Sequence, residues 1–170
     1  MRKINLKLTI LFVCLGNICR SPLAEGIMNK YLIDSDLSTK IRCDSAGLGN
    51  WHSGELPDKR ARKVAENNGL TLTHLARQIE INDYKTFEYI ICMDKAVYKE
   101  VINRKPNFNA ISTITLMGDF DIFEPNGKPT GRDVIDPYTG DLRDFEGVFD
   151  MLQRCCHHLL EHIISKNNGF

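Results

Sequence analysis

Short apolar runs alternate along this chain with segments whose apolar residues recur at helical spacing, and this alternation limits the folds available to it. Four runs have the length and composition of buried strands: residues 8–15, 41–46, 88–93 and 111–116. Helical spacing covers residues 22–33, 58–68 and 95–104, and a long apolar stripe runs from Phe145 to Ile163. Because strands that alternate with helices pair in parallel, we predict an α/β fold with a four-stranded parallel sheet and helices on both faces.

Length and composition narrow the class of protein. A chain of 170 residues suits one domain over residues 1–170, and 42% apolar residues suffice for a substantial core. A formal net charge of zero disfavours a nucleic-acid partner bound by bulk charge. The N-terminal apolar run ends within about eight residues, at the lower limit for a secretory signal and far short of a membrane span. We therefore expect a cytoplasmic protein with reduced cysteines and no membrane partner.

The segment that follows the first strand, residues 14–21, has the composition of an oxyanion-binding loop. Gly16 and Asn17 tolerate positive φ, so the chain can turn back and bring several backbone N–H groups together. Ser21 suits an N-cap and Pro22 suits a first helical turn, which predicts a helix whose N-terminus faces the loop. We expect this phosphate loop to bind a phosphate dianion through seven residues: Leu15, Gly16, Asn17, Ile18, Cys19, Arg20 and Ser21.

Cys14 and Arg20 are the candidate reactive residues of the loop. A helix N-terminus and a nearby guanidinium favour the thiolate, which is the nucleophilic form of cysteine. The planar fork of Arg20 matches two phosphate oxygens, and Ser21 could donate a hydrogen bond to the sulfur. In a purely structural interpretation, Cys14 is a buried residue at a strand end and Arg20 is a solvated charge. The longer motif, with its Gly, Asn, Ser and Pro residues, favours a functional role for both. A nucleotide P-loop is excluded because the Gly-Lys-Ser/Thr ending is missing.

Residues 13–22, followed by Leu23-Ala24-Glu25, closely resemble the signature of the low-molecular-weight protein tyrosine phosphatases. Similar motifs follow in the family's order at residues 44–47, 51–52, 58–61, 74–78, 93–94 and 136–138. The resemblance implies a flavodoxin-like, phosphotyrosine phosphatase I-like fold. It also implies hydrolysis of phosphotyrosine or small aryl phosphates through a phosphocysteine on Cys14, without a metal or other cofactor. The expected partner is a phosphotyrosine-containing protein or a small aryl phosphate, and the expected state is a monomer or weak homodimer.

Asp136 lies in a stretch rich in Gly, Pro and Asp, residues 118–143, which we interpret as a long functional loop. Taken alone, Asp136-Pro137 is a turn signal, and spacing does not select Asp136 over Asp133 or Asp141. The resemblance does select it, as the general acid that protonates the leaving oxygen and then the base that activates water. Such a group contributes ~10²–10⁴ in rate.

The resemblance also implies supporting residues around the loop. Trp51 and Tyr138, with Leu15 and Ile18, would line a cleft for the aryl ring, although Trp51 could instead anchor a loop or the core. The residues expected to brace the loop by hydrogen bonds are Asn17, Ser45 and His74. The chain departs from the family pattern where Thr139 replaces a second tyrosine and where Leu48 replaces a hydroxyl residue.

The other cysteines bear on two alternatives. Cys19 could trap an oxidised Cys14 as a disulfide. An arsenate reductase on the same fold would need a cysteine relay, and no closely spaced pair is evident among Cys43, Cys92, Cys155 and Cys156. A non-catalytic phosphate-binding module is disfavoured by the presence of nucleophile, arginine and acid. The Cys155-Cys156-His157-His158 run is not expected to bind metal, because successive helix residues diverge; His158 and His162 share a face expected at the surface.

Overall fold

A computed structural model describes residues 7–107, 110–123 and 127–167. Its strands are β1 (Leu8–Cys14), β2 (Ile41–Gly47), β3 (Tyr89–Cys92), β4 (Thr113–Leu116), β5 (Ile122–Phe123) and β6 (Lys128–Pro129). Its α-helices are α1 (Arg20–Asp34), α2 (Lys59–Asn67), α3 (Asp83–Thr86), α4 (Lys95–Arg104) and α5 (Leu142–Lys166). A short 3₁₀ helix covers Met117–Phe120.

The four long strands form one parallel sheet in the order β2-β1-β3-β4, as the alternation of strands and helices predicts. β1 lies in the interior of the sheet, paired with β2 and β3, and all seven of its residues are buried. Its last residue, Cys14, pairs with Gly47 at the end of β2. The nucleophile candidate therefore lies at the carboxyl edge of the sheet, where ligands bind in parallel α/β folds.

Helices cover both faces of the sheet, which confirms the predicted single-domain α/β architecture. Alternate residues of β1 point to opposite cores, because side chains in a strand alternate between faces. Ile10 and Phe12 join the core beneath α1, α2 and α5, whereas Leu11 and Val13 join the core beneath α3 and α4. The sheet is thus the rigid middle layer on which the loops at its carboxyl edge are mounted.

The start of α1 differs from the prediction that Ser21 is its N-cap. The helix begins at Arg20, and Cys19 occupies the cap position without a side-chain capping bond. Ser21 lies inside the first turn, where its hydroxyl is 3.0 Å from Cys14 Sγ. The serine oxygen therefore serves the loop rather than the helix end. Pro22 does lie in the first turn, as expected.

The stretch 118–143 is not wholly irregular, because its first part contains the β5–β6 hairpin. Asp121 precedes this hairpin, fully buried, and forms ion pairs with Arg132 and Arg154 of 3.1 Å each. The short helix α3 was also not predicted. Within the described ranges, no helix combines the length and apolar content that crossing a membrane requires.

The cysteine–histidine run of α5 has its two thiols in the core, since Cys155 and Cys156 are both buried. His162 is exposed, as expected, and His157, for which no position was predicted, is also exposed. His158 is not at the open surface, contrary to expectation. It is half-buried, with its Nδ1 3.2 Å from the carbonyl oxygen of Phe120, because the 3₁₀ helix packs over that part of α5.

Candidate active site

The phosphate loop folds back over the end of β1. Asn17 has φ of 58°, and its backbone N–H donates to Cys14 Sγ over 3.2 Å. Gly16 does not have positive φ, so the reversal depends on Asn17 and not on both residues as predicted. A β-carbon on Gly16 would lie 3.3 Å from the His52 ring, so close packing accounts for glycine at that position. The Cys14 sulfur consequently lies against the turned backbone.

Gly47 makes room for this loop. A β-carbon at Gly47 would lie 3.0 Å from the Asn17 nitrogen, the Gly16 carbonyl carbon and the Leu15 oxygen, all of them backbone atoms. Leu15 also accepts a hydrogen bond from the backbone N–H of Gly49 over 3.1 Å. The end of β2 is therefore the floor on which the phosphate loop rests.

Arg20 is buried at the mouth of the loop, and its guanidinium joins three segments of the chain. Its Nη1 donates to Asp94 over 2.6 Å and to the carbonyl of Val134 over 2.9 Å, and its Nη2 donates to Asp136 over 2.8 Å. Burial alone would lower the pKa of Arg20, but the charges of Cys14, Asp136 and Asp94 raise it above its ordinary value. Its Nε is buried without a hydrogen-bond partner. A buried, unpaired donor on a permanent cation is suited to an anion that enters the loop.

A buried hydrogen-bond network lies behind the phosphate loop, and Asn17 is its hub. The Asn17 amide nitrogen donates to Ser21 and Ser45 over 2.9 Å each. Its amide oxygen is 2.8 Å from His74 Nε2 and accepts the backbone N–H of Arg77, also over 2.8 Å. The structure therefore brings Asn17, Ser45 and His74 together under the loop, and their contacts would resist its unfolding.

The far end of this network contains a titratable group. Ser45 donates to Glu25 over 2.7 Å, and His74 Nδ1 lies 3.3 Å from the same Glu25 oxygen. Burial raises the pKa of Glu25 to about 7, while burial lowers the pKa of His74. Among the described residues, Glu25, Asp44 and His74 are the one group whose ligand atoms lie close enough to hold a metal ion. Asp44 already forms a 2.9 Å ion pair with Arg77, so hydrogen bonds and ion pairs account for the arrangement.

The acid loop, residues 134–140, approaches the phosphate loop from the side of Arg20. The backbone N–H of Val134 donates to the carbonyl of Met93 over 2.9 Å, which attaches the loop to the end of β3. Asp136 directs one carboxylate oxygen to Arg20, and its other oxygen accepts the backbone N–H of Tyr138 over 3.1 Å. The carboxyl group is partly exposed, with 40% of the side chain open to solvent. The carboxyl group is therefore open both to the cavity above Cys14 and to solvent.

A cavity of about 150 Å³ opens above Cys14. Trp51 and Tyr138 are its aromatic walls, and both are largely exposed, at 67% and 52%. The Trp51 ring lies over Gly49, where any side chain would collide with it. Ten residues line the cavity: Cys14, Leu15, Gly16, Ile18, Cys19, Arg20, Trp51, His52, Asp136 and Tyr138. The space is a slot with the Cys14 thiol and the Arg20 guanidinium at its base and flat aromatic walls at its opening.

Comparisons with known proteins agree with this geometry. The sequence profile of the low molecular weight phosphotyrosine protein phosphatases matches residues 9–168. The chain belongs to this family. The family's representative in Sus scrofa is 40% identical over 158 residues, which cover 91% of this chain and 95% of the relative. The resemblance found in the sequence is thereby confirmed.

Solved structures of the low molecular weight phosphatases share the fold. A protein tyrosine phosphatase from Entamoeba histolytica matches with a TM-score of 0.84 and 36% identity, covering 96% of this chain and all of that one. A Drosophila protein described as an arginine phosphatase matches with a TM-score of 0.82 and 29% identity, covering 91% of this chain and 96% of that one.

The remaining five cysteines of this low molecular weight phosphatase are buried thiols. Burial raises the pKa of Cys19 far above its usual range, with further contributions from the charges of Asp58, Cys14 and Asp136. Burial likewise raises the pKa of Cys43, Cys92, Cys155 and Cys156. All six cysteines are free.

Several residues of the site were not found from the sequence. Asp94 had a usable signal, because a polar residue that directly follows a buried strand lies at the carboxyl edge of the sheet. Gly47 had a weaker one, as a glycine at a strand end. Glu25 and Arg60 lie in segments that resemble family motifs, but neither residue was assigned a role from the sequence, since their partners Ser45, Tyr138 and Gly140 are far away along the chain.

Proposed function

We propose that this chain hydrolyses phosphotyrosine and related aryl phosphomonoesters, with Cys14 as the nucleophile. The observation that supports this most strongly is the position of the Cys14 sulfur. It lies at the base of an aromatic-walled cavity, in contact with the Asn17 N–H and the Ser21 hydroxyl. Family membership over residues 9–168 supports the same reaction.

In the first step, the Cys14 thiolate attacks phosphorus in line with the ester bond. A sulfur–phosphorus bond forms and the phosphorus–oxygen bond breaks. Asp136, protonated at this stage, donates its proton to the leaving phenol oxygen. The backbone N–H groups of residues 15–20 and the guanidinium of Arg20 stabilise the charge on the equatorial oxygens. Binding of the phosphate also provides an acceptor for the unpaired Nε of Arg20.

In the second step, water attacks the phosphocysteine and Asp136 accepts a proton from that water. Inorganic phosphate leaves and the Cys14 thiolate is restored, so the net reaction is hydrolysis of the ester. Ser21 lies 3.0 Å from the sulfur and donates to the thiolate as it departs. The positive charge needed at phosphorus comes from Arg20 and the loop amides, so we expect activity without a metal or other cofactor.

The aromatic walls favour aryl phosphates over other phosphate compounds. Trp51 and Tyr138 offer flat faces that stack on a phenyl ring. The Drosophila relative is described as an arginine phosphatase, so a guanidino phosphate is the second substrate to test. The substrate is a phosphotyrosine-containing protein or a small aryl phosphate, and the protein acts as a monomer or weak homodimer.

The test is hydrolysis of para-nitrophenyl phosphate, a phosphotyrosine peptide and phosphoarginine by the wild type and by Cys14→Ser. Vanadate binding serves as the control for an intact loop. We expect rapid hydrolysis of both aryl phosphates by the wild type, slow hydrolysis of phosphoarginine, and no turnover by Cys14→Ser. Substantial activity in Cys14→Ser would overturn the assignment of the nucleophile, and faster phosphoarginine hydrolysis would overturn the substrate class.

Arsenate reduction is the alternative chemistry for such a loop, and the cysteines disfavour it. A reductase passes its oxidation to further thiols near the site, but Cys43, Cys92, Cys155 and Cys156 are buried in the two cores. We expect no thiol-coupled reduction of arsenate in the same preparation. Its detection at a rate comparable to aryl phosphate hydrolysis would reverse this choice.

Cys19 lies beside Cys14 in the cavity wall, and we expect it to protect the nucleophile from over-oxidation. Peroxide converts the Cys14 thiolate to a sulfenic acid, and the Cys19 thiol condenses with it to form a disulfide and release water. Mass spectrometry after mild peroxide treatment should find the Cys14–Cys19 bond. Full recovery of Cys19→Ala by reducing agent would contradict this role. The free cysteines also suit a reducing compartment, so we propose the cytoplasm, to be checked by cell fractionation.

A further inference from the structure

Arg60 of α2 joins the two loops of the site, although it does not line the cavity. We propose that Arg60, held by Asp58, positions the acid loop so that the Asp136 carboxyl reaches the leaving oxygen. This inference rests on the function proposed for Asp136. Arg60 is a positioning residue, because it contacts the loop and neither the substrate nor the reacting atoms.

The contacts of Arg60 with the acid loop are two hydrogen bonds to backbone carbonyls. Its Nη1 donates to Gly140 over 2.7 Å, and its Nη2 donates to Tyr138 over 3.0 Å. These carbonyls lie two and four residues after Asp136, in a turn closed by a hydrogen bond of 2.9 Å from the N–H of Gly140 to the carbonyl of Pro137. Arg60 therefore fixes the turn that begins at Pro137, the residue after the acid.

Asp58 connects the same guanidinium to the phosphate loop. Its carboxylate accepts hydrogen bonds from Arg60 Nε over 3.0 Å and from Nη2 over 2.8 Å. The guanidinium is therefore held by a second pair of hydrogen bonds. The backbone N–H of Asp58 donates to the carbonyl of Ile18 over 2.8 Å. A short path thus runs from the phosphate loop through Asp58 and Arg60 to the acid loop.

The Arg60 guanidinium also packs against an aromatic ring of α5. Its central carbon lies 4.6 Å above the centre of the Phe145 ring, which is fully buried in the first turns of α5. Stacking on an aromatic face, a bidentate carboxylate pair and two carbonyl contacts together need a planar group with four donors in the directions that a guanidinium provides. A lysine ammonium cannot satisfy this set, which is why we expect the arginine to matter specifically.

The acid loop needs such support because few of its own side chains are anchored. Ile135 is 77% exposed, and Tyr138 and Thr139 are also exposed. Arg20 contacts the loop on the substrate side, but its guanidinium must also serve the bound phosphate. Arg60 holds the opposite end of the loop and does not line the cavity in which the phosphate would bind.

The experiment compares Arg60→Met with Arg62→Met. Methionine keeps an apolar stem on Phe145 and removes all five donors. Arg62 is the matched control, because it is on the same helix and donates to the backbone carbonyl of Pro57 over 3.0 Å without touching the acid loop. Each variant is assayed for kcat/KM on phenyl phosphate and on 2,4-dinitrophenyl phosphate. The first has a poor leaving group that needs a proton, and the second leaves without one.

We expect Arg60→Met to lower kcat/KM for phenyl phosphate about 10-fold, part of the ~10²–10⁴ that a general acid provides, and to change the dinitrophenyl ester less than about 2-fold. Arg62→Met should leave both values unchanged. Arg60→Lys, which preserves the charge, should resemble Arg60→Met on phenyl phosphate. In an Asp136→Ala background, Arg60→Met should cause no further loss, because the group that it positions is gone.

Three outcomes would overturn the proposal. An equal loss of kcat/KM on both esters would mean that Arg60→Met disturbs the site in general. No loss on either ester would mean that the contacts of Arg60 do not position Asp136. A further loss in the Asp136→Ala background would place the effect outside the acid. Failure of the proposed function is visible separately: if Asp136→Ala itself affects both esters equally, the general-acid assignment falls, and the role of Arg60 falls with it. Vanadate affinity and thermal melting show whether a variant is misfolded. If Arg60→Met is misfolded, Arg60→Lys is assayed in its place.

Discussion

The phosphate loop and the acid loop meet at one substrate site, but they are held in different ways. The phosphate loop rests on a buried network in which Asn17 alone has four side-chain hydrogen bonds. The acid loop is largely exposed; it is attached by the Val134–Met93 backbone hydrogen bond and held by two guanidinium groups, those of Arg20 and Arg60. Stability and activity should therefore be coupled in the first loop and separable in the second.

The largest effect should follow Asn17→Ala. Four hydrogen bonds are lost: Ser21 and Ser45 lose a donor, and His74 and the backbone N–H of Arg77 lose their acceptor. We therefore expect a loss of about 3 kcal/mol in the free energy of unfolding. A displaced loop should also lower kcat/KM by about 10². Urea or thermal unfolding measures the first quantity, and para-nitrophenyl phosphate hydrolysis measures the second.

Two further variants test this coupling. Asn17→Gly removes the same bonds but accepts φ of 58° without strain, so it should be more stable than Asn17→Ala by about 1 kcal/mol. Asp136→Ala should lose activity while keeping the wild-type melting temperature, because its side chain is exposed in the acid loop. A large loss of stability in Asp136→Ala would remove the proposed difference between the loops.

The second prediction concerns pH, since only the network under the phosphate loop contains a group that titrates near neutrality. The pKa of Glu25 rises from its ordinary 4.5 to about 7 through burial, so between these values the native state keeps a proton that the unfolded state loses. Stability then falls as pH rises through this window, by at most about 3 kcal/mol. The Arg60–Asp58 pair that holds the acid loop lacks this dependence, because Arg60 stays charged and its hydrogen bonds lower the pKa of Asp58.

Glu25→Gln tests this prediction because glutamine mimics the protonated acid and keeps an oxygen for Ser45. The variant and the wild type should be equally stable at pH 5, and the variant should be more stable at pH 8 by about 1–3 kcal/mol. His74 lies 3.3 Å from Glu25, so the difference between the two proteins reports the Glu25 charge together with its coupling to His74. A variant that is less stable than the wild type at pH 8 would mean that Glu25 is ionised and paired with a His74 imidazolium.

The same contrast explains how much of the molecule could be predicted from its sequence. The four strands, their parallel pairing and the helices on both faces follow from local periodicity, and the structure confirms them. The β5–β6 hairpin and α3 were missed because two- and four-residue elements have no period to detect. The start of α1 was misplaced by two residues because the Ser21 hydroxyl has a partner, the Cys14 sulfur, that capping rules do not consider.

The site divides in the same way. The main residues of the phosphate loop lie within one stretch of eight, so a continuous sequence motif is enough to predict them: Cys14, Asn17, Arg20 and Ser21. Asp136 was selected by family resemblance alone, because nothing in its spacing separates it from Asp133 or Asp141. The structure brings Asp136 to 2.8 Å from Arg20, whereas Asp133 is near the start of α4, 3.2 Å from the backbone nitrogen of Lys95. Long-range pairs such as Arg60 with Tyr138 depend on how α2 and α5 pack, which local patterns do not encode.

The smallest effect should come from Trp51→Ala, which changes neither loop. Trp51 is 67% exposed, so its removal should leave the free energy of unfolding within about 0.5 kcal/mol of the wild type. Loss of one stacking face should weaken binding of an aryl ring by about 0.5–1.5 kcal/mol, which corresponds to a rise in KM of roughly 2- to 12-fold. An alkyl phosphate, which has no ring to stack, should show no change. An equal rise in KM for both substrates would mean that Trp51 supports the phosphate loop. The cavity wall at Trp51 would then belong to the phosphate loop and would not be independent of it.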